Sequence, residues 1–227
     1  MRNRRQESRG QAFVETALIL LPTVLLLLCT LWVGEAEIRE LTTTQVARDA
    51  ASMYSRGADF SVAAANPDNS TYNFILPKLA STVGTLNSSA NTPPGTGVVI
   101  FSNITFLGTG ACPNGQGTGT GKCENYGQFV FTQQYAVGNT GLRVSNFGTP
   151  TNTDPSNAYN ITPANYENAA TDVASFSFTN SSYPAVTTGG PNPGYQPGQP
   201  IYVVEAFFSG LGTPGSSLGV TYAYAIF

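Results

Sequence analysis

The sequence predicts an α+β protein. One long N-terminal helix starts in a membrane and continues past it into an extracytoplasmic domain built on an antiparallel β-sheet. Three observations lead there. Residues 16–33 (TALILLPTVLLLLCTLWV) carry no charge. Residues 35–54 contain no Gly or Pro, and their apolar positions recur at helical spacing. Beyond residue 97, short alternating apolar runs are separated by Gly, Pro and Asn.

As a helix, residues 16–33 would span about 27 Å, close to a hydrocarbon core of ~30 Å. Phe13 and Val14 lengthen the run, so the membrane half is read as 13–33. Five of the six residues 24–29 are Val or Leu, which leaves no polar face for a helix in a soluble core. Trp32 suits the far interface. Arg2, Arg4, Arg5 and Arg9 flank the near side. Positive flanks stay cytoplasmic, so the chain is expected to cross the inner membrane once, with residues 34–227 outside the cytoplasm. Pro22 offers no N–H and should kink the helix or open one of its hydrogen bonds. Cys29 reads as a small apolar residue in mid-membrane. Past the membrane, Ile38, Leu41, Ala47, Ala50, Ala51 and Tyr54 mark the stripe expected to pack on the outer domain, with Gly57 as C-terminal cap. Glu35, Glu37 and Glu40, interleaved with Arg39, read as a solvated helix face rather than a metal site.

The outer domain is read as residues 58–227. A second helix is expected at 70–86, interrupted by Pro77, followed by a polar loop at 87–97. Strands are expected at 98–107 and 128–137, forming a long hairpin, then at 142–147, 174–179, 201–208 and 219–227. Thr162-Pro163 starts a short helix running to about residue 173. Residues 183–200, crowded with Pro and Gly, form a loop. Cys112 and Cys123 bracket a Gly-rich hairpin loop, and in an exported domain they should form a disulfide. Five Asn-x-Ser/Thr triplets, at Asn69, Asn87, Asn103, Asn160 and Asn180, are taken as solvent-facing polar surface.

Composition narrows the chemistry. Of 227 residues only 10% are charged, against roughly 25% in a typical soluble domain. There is no histidine. Ser-His-Asp and Cys-His nucleophile systems and His-ligated zinc are therefore excluded. The net charge of −3 argues against a nucleic-acid partner. The loop GTGACPNGQGTGTGK lacks the Gly-Lys-Ser/Thr ending of a phosphate cradle. Asp154, Glu167, Asp172 and Glu205 could supply an acid/base pair, but they fall in no recognisable motif. No enzyme activity, cofactor or metal is expected.

The working residues stand at the membrane edge. A basic leader ends in Gly10, Gln-Ala-Phe-Val follow, and then comes Glu15 at the start of the apolar helix. A carboxylate in an apolar membrane helix is costly and by default functional. This arrangement resembles the type IV prepilins. The run RGQAFVETALILLPTVLLLLCTLWVGEAEIRELTTTQVARDAASMYSRG resembles the start of TadE-like proteins, minor pilin-like subunits of Tad (Flp-type) pili. The likeness rests on Gly10, Glu15, the Leu-rich run with Pro22, and Gln45, Ala47, Arg48, Ala50 and Ala51. The strand IYVVEAFF at 201–208 resembles a later part of that family. The resemblance implies a type IV pilin-like fold and a non-catalytic subunit. It implies cleavage after Gly10 by a prepilin peptidase, which leaves Gln11 as the new N-terminus. Glu15 would then pair with that α-amino group on a neighbouring subunit during assembly. The implied partners are the peptidase and other Tad pilins. The alternative is an uncleaved, membrane-anchored adhesin or binding module.

Overall fold

The structure, a computed structural model, describes residues 4–61, 75–87, 93–175, 198–210 and 220–227, with the backbone alone over 4–12. The chain divides into two compact units, Met1–Leu41 and Thr42–Phe227. Helix α1 runs from Arg4 to Ser55, so it begins within the basic leader. It is long and apolar enough to cross a membrane, and its most apolar stretch buries nothing. Leu18, Leu26 and Trp32, for example, are all more than half exposed.

In the second unit, the last turns of α1 bury Thr43, Val46, Ala47, Ala50, Ala51 and Tyr54. These positions follow the i, i+3, i+4, i+7 rule; the apolar ones join one core with the sheet, and Thr43 Oγ1 lies 2.7 Å from Thr221 Oγ1 of the last strand. The expected stripe is thus corrected at its start. Ile38 and Leu41 stay 66% exposed, while Thr43 and Val46 carry the packing. Gly57, at φ +88°, ends the helix as expected. The Ala58 N–H reaches the Met53 carbonyl at 3.0 Å, and the Gly57 N–H reaches Tyr54 at 3.0 Å.

Four strands follow: β1 (Gly97–Phe106), β2 (Phe129–Gly138), β3 (Pro200–Phe208) and β4 (Thr221–Ile226). Their order is β2-β1-β3-β4, and every pair is antiparallel. The expected 98–107/128–137 hairpin is present, shifted by a residue at its ends. A bulge at Asn103/Ile104 leaves Thr132 without a cross-strand partner. Its hydroxyl donates to the Asn103 carbonyl at 3.1 Å, and its carbonyl accepts the Ile161 N–H at 2.8 Å. Asn103 itself is half-buried with its Oδ1 unpartnered, so it is not the free polar surface expected of it.

The sheet is covered on both faces. Val99, Phe101, Tyr135, Val137, Val204, Ala206, Ala223 and Ala225 meet the end of α1. Ile104, Phe131, Ile201 and Val203 lie on the other face, against Phe147, Ile161 and Ala174 from the long β2–β3 connection. That connection holds three corrections. Residues 142–147 form turns and irregular chain, not a strand. The helix expected over 163–173 is a single turn, α3 (Pro163–Tyr166), and then a 3₁₀ turn at Ala170–Asp172. Residues 174–175 are not in a strand, and 176–179 lie outside the described residues. The physical reason is shared: these segments lie over a finished sheet, where Phe147 and Ala174 pack against it and isolated backbone bonds to β2 hold the chain without a continuous ladder. The helix expected at 70–86 is α2 (Ile75–Ala80), with Pro77 tolerated in its first turn; 70–74 and most of 183–200 lie outside the described residues.

Two glycines let the sheet close around Phe208. A Cβ on Gly97 would come 2.3 Å from the Phe208 ring, and one on Gly138 would come 2.5 Å from the Gly97 carbonyl oxygen. Gly138 also holds φ +105°.

Candidate functional site

Gly10 and Gln11 lie within the helical backbone of α1. A protease that needs an extended chain must unwind this turn first. Glu15 follows just over a turn later, exposed among Phe13, Val14, Leu18 and Ile19, which are also exposed. Pro22 sits inside α1, so the Leu18 carbonyl loses its usual donor four residues on. Beside it, the Thr23 hydroxyl donates to the Ile19 carbonyl at 2.7 Å. Glu35 and Arg39 pair at 2.7 Å along the helix, with Glu35 largely exposed, as a solvated face requires. Cys29 is free and exposed on the apolar run.

Cys112 and Cys123 are joined in a disulfide, with Cα atoms 5.6 Å apart. Both are buried with Leu107 and Val130. The Gly-rich run inside the loop has a conformational cause. Gly115, Gly117, Gly119 and Gly121 all hold positive φ, where a side chain would strain the backbone. Replacing both cysteines with Ala is expected to lower stability by about 2–3 kcal/mol, chiefly by freeing the unfolded loop. Denaturant titration of the oxidised protein against the double variant measures it. A difference below about 0.5 kcal/mol would contradict this reading.

The most elaborate polar site is built around Glu205, which the sequence offers only as one of four acids in no recognisable motif. Glu205 of β3 is 2% exposed. Ser145 donates its hydroxyl to one carboxylate oxygen. The Asn146 N–H at 2.9 Å and the Tyr222 hydroxyl at 2.7 Å donate to the other. The Phe147 N–H in turn holds Ser145 Oγ at 3.1 Å. Arg143 donates to Asn146 Oδ1 at 2.7 Å and lies over the Tyr222 ring at 4.2 Å and the Phe207 ring at 5.4 Å. Burial, with the hydrogen bond to Glu205 behind it, pushes the Tyr222 phenol well above its ordinary pKa. Next to this group, Gln134 donates to Ser102 Oγ and to the Gly148 carbonyl, each at 3.0 Å. Residues 145–148 are thereby pinned on the sheet face. A shallow cleft of about 230 Å³ opens beside them, lined by Gln134, Tyr135, Arg143, Ser145 and Tyr159 among others. Glu205 does not line it. The buried carboxylate thus ties residues 145 and 146 and Tyr222 of β4 to β3.

Two of the other candidate acids, Asp172 and Asp154, are hydrogen-bonded within the β2–β3 connection. Asp172 is buried and accepts from the Thr151 N–H at 3.3 Å and Asn152 Nδ2 at 2.8 Å. Asp154 caps a 3₁₀ turn through the Ser156 N–H at 2.9 Å, and the Ser156 bonds hold its carboxyl below the usual range. Among the described residues, no three His, Cys, Asp or Glu side chains gather in a group that could hold a metal. The partners of Glu205 were invisible in sequence because Ser145 and Asn146 come from a segment read as a strand. The available signal was the acid itself, since a Glu within IYVVEAFF must find donors when both sheet faces are covered. No family model, curated protein or solved structure matches this chain.

Proposed function

We propose that this protein is a non-catalytic, type IV pilin-like membrane subunit of the Tad (Flp) kind. In this reading a prepilin peptidase cuts it after Gly10, and it assembles through its N-terminal helix. The observation that carries the reading is α1 itself. One helix holds the Gly10–Glu15 pattern, an exposed apolar stretch of membrane length, and a final segment whose stripe packs on an antiparallel sheet. Cutting removes the four leader arginines and creates an α-amino group on Gln11, mostly protonated near neutral pH. At the membrane edge, Glu15 of one subunit and that amine on the next neutralise each other, where either alone would be costly.

Mass measurement on protein recovered from cells tests the cut. Co-expression with a prepilin peptidase should remove residues 1–10, and Gly10→Val should keep them. An intact N-terminus in the presence of active peptidase would sink the processed-subunit reading and leave the uncleaved anchor. Glu15→Ala should still insert and be cut, yet lower the amount assembled at least ~10-fold, about 1.4 kcal/mol or more of lost pairing. Unchanged assembly would remove Glu15 from the mechanism.

A further inference from the structure

The two edges of the sheet differ. The outer edge of β2 is occupied by its own chain. Ile161 and Ala174 donate backbone N–H groups to the Thr132 and Phe129 carbonyls, both at 2.8 Å, with bridges at Gln133/Asn160 and Val130/Val173. The outer edge of β4 has no such cover among the described residues. Its sequence, TYAYAI, also lacks the usual protections of an edge: no Pro, no Gly, no charge.

Hydrogen-bond parity shows which groups that edge presents. Phe227 and Tyr202 exchange both backbone bonds, each at 2.9 Å. In an antiparallel ladder, doubly bonded pairs alternate with pairs whose N–H and C=O groups point away. With the observed register, Ala225/Val204, Ala223/Ala206 and Thr221/Phe208 are therefore the bonded pairs. Tyr222, Tyr224 and Ile226 send their backbone groups outward. These groups repeat every second residue and accept only another extended backbone.

We propose that β4 pairs antiparallel with β4 of a second copy of this chain, joining two four-stranded sheets across a twofold axis at Tyr224. A strand lying antiparallel to itself is self-complementary in this register. Tyr222 faces the partner's Ile226, Tyr224 faces the partner's Tyr224, and all three outward residues are used on each side, giving up to about six backbone hydrogen bonds. Centring the pair on Ala223 would leave Ile226 without an outward-facing partner in β4. Because β4 carries no charge, no like-charge repulsion opposes two copies. Tyr224 and Phe227, each 55% exposed, bring apolar surface to the contact, and Tyr224 is already braced edge-on by the Phe147 ring at 5.8 Å. The contact is small and so weak in dilute solution, but copies held in one membrane meet at a raised effective concentration. A twofold pair is closed, so it is separate from any filament contact through α1. It does not depend on cleavage after Gly10.

The test uses the full chain in mild detergent, with mass read by light scattering across a concentration series. Wild type should move from monomer to dimer as the concentration rises toward about 1 mM, comparable to the effective concentration of tethered partners. Tyr224→Pro removes the central outward N–H but no bond to β3, and should raise the dissociation constant at least ~10-fold. Tyr224→Lys keeps that N–H and sets two like charges opposite each other, so it should be monomeric. Mixed with Tyr224→Glu, it should dimerise again, because position 224 faces itself. A monomeric wild type would overturn the proposal. So would a dimer that all three variants leave intact, since it would then form through α1. Failure of the Lys and Glu variants to rescue each other would overturn the twofold register.

Discussion

Glu205→Ala should destabilise the outer domain by about 3 kcal/mol. The loss has a clear source. The Ser145 hydroxyl, the Asn146 N–H and the Tyr222 hydroxyl all end on this carboxylate and would lose their acceptor together. Water cannot easily replace it, because Glu205 is 2% exposed with β1 on one side and β4 on the other. Glu205→Gln keeps one acceptor oxygen and much of the volume, so it should cost less. The damage should also be local. Hydrogen exchange at Asn146 and Phe147 should rise more than at Val99 or Phe101 in the sheet centre. Denaturant unfolding measures the first effect and exchange the second. A loss under 1 kcal/mol with unchanged protection at residues 146–147 would show that the clamp holds nothing.

Tyr54→Ala should cost about 3–5 kcal/mol, as for the removal of a large buried aromatic. Tyr54 is 5% exposed at the last turn of α1. Its ring meets Phe101, Tyr135 and Tyr202 edge-on, with centroids 5.4, 6.0 and 5.0 Å away. Its hydroxyl donates to Gln133 Oε1 at 2.6 Å, and Gln133 Nε2 goes on to the Ala158 carbonyl at 2.7 Å. Tyr54→Phe removes only the hydroxyl and should cost about 1–2 kcal/mol. The same cluster sets a response to alkali. Burial pushes the Tyr54 and Tyr135 phenols far above their ordinary pKa, and Tyr222 as well. The folded state thus keeps protons that the unfolded chain gives up near pH 10. Their contribution is fully present below that pH and falls as the pH rises past it. Chemical denaturation at pH 9 and at pH 11 reads the difference. In Tyr54→Phe the alkaline loss should be smaller. Equal stability of wild type at both pH values would contradict burial of these phenols.

The legible parts of the molecule were those governed by local chemistry. An uncharged apolar run of membrane length admits one reading as a helix, and the lack of Gly and Pro after it carries the helix on to Gly57. The β1–β2 hairpin was readable because each arm is a ten-residue run rich in Val, Ile, Phe or Tyr and free of Pro. Two cysteines at the base of a loop already held near each other by the hairpin needed little else to pair. The stripe on α1 was misplaced at its start because Ile38 and Leu41 have helical spacing whether or not a sheet lies beneath them. The segment at 142–147 was misread for a related reason. Phe147 is apolar because it packs against the Ile104–Phe131 face, not because it belongs to a ladder.

By itself, the amino-acid sequence determined a helix suited to a membrane, a Gly10–Glu15 pattern at its head, a sheet of antiparallel strands and a disulfide. Each follows from composition and spacing within one segment. Only the tertiary structure decided that Glu205 is a clamp, that Tyr54 anchors the helix to the sheet, and that, among the described residues, β4 rather than β2 keeps an open edge. Those outcomes join residues far apart along the chain, and no local pattern encodes a hydrogen bond whose two ends lie on different elements. The burial of both sheet faces and the order of the strands set them, and these exist only once the chain has closed on itself.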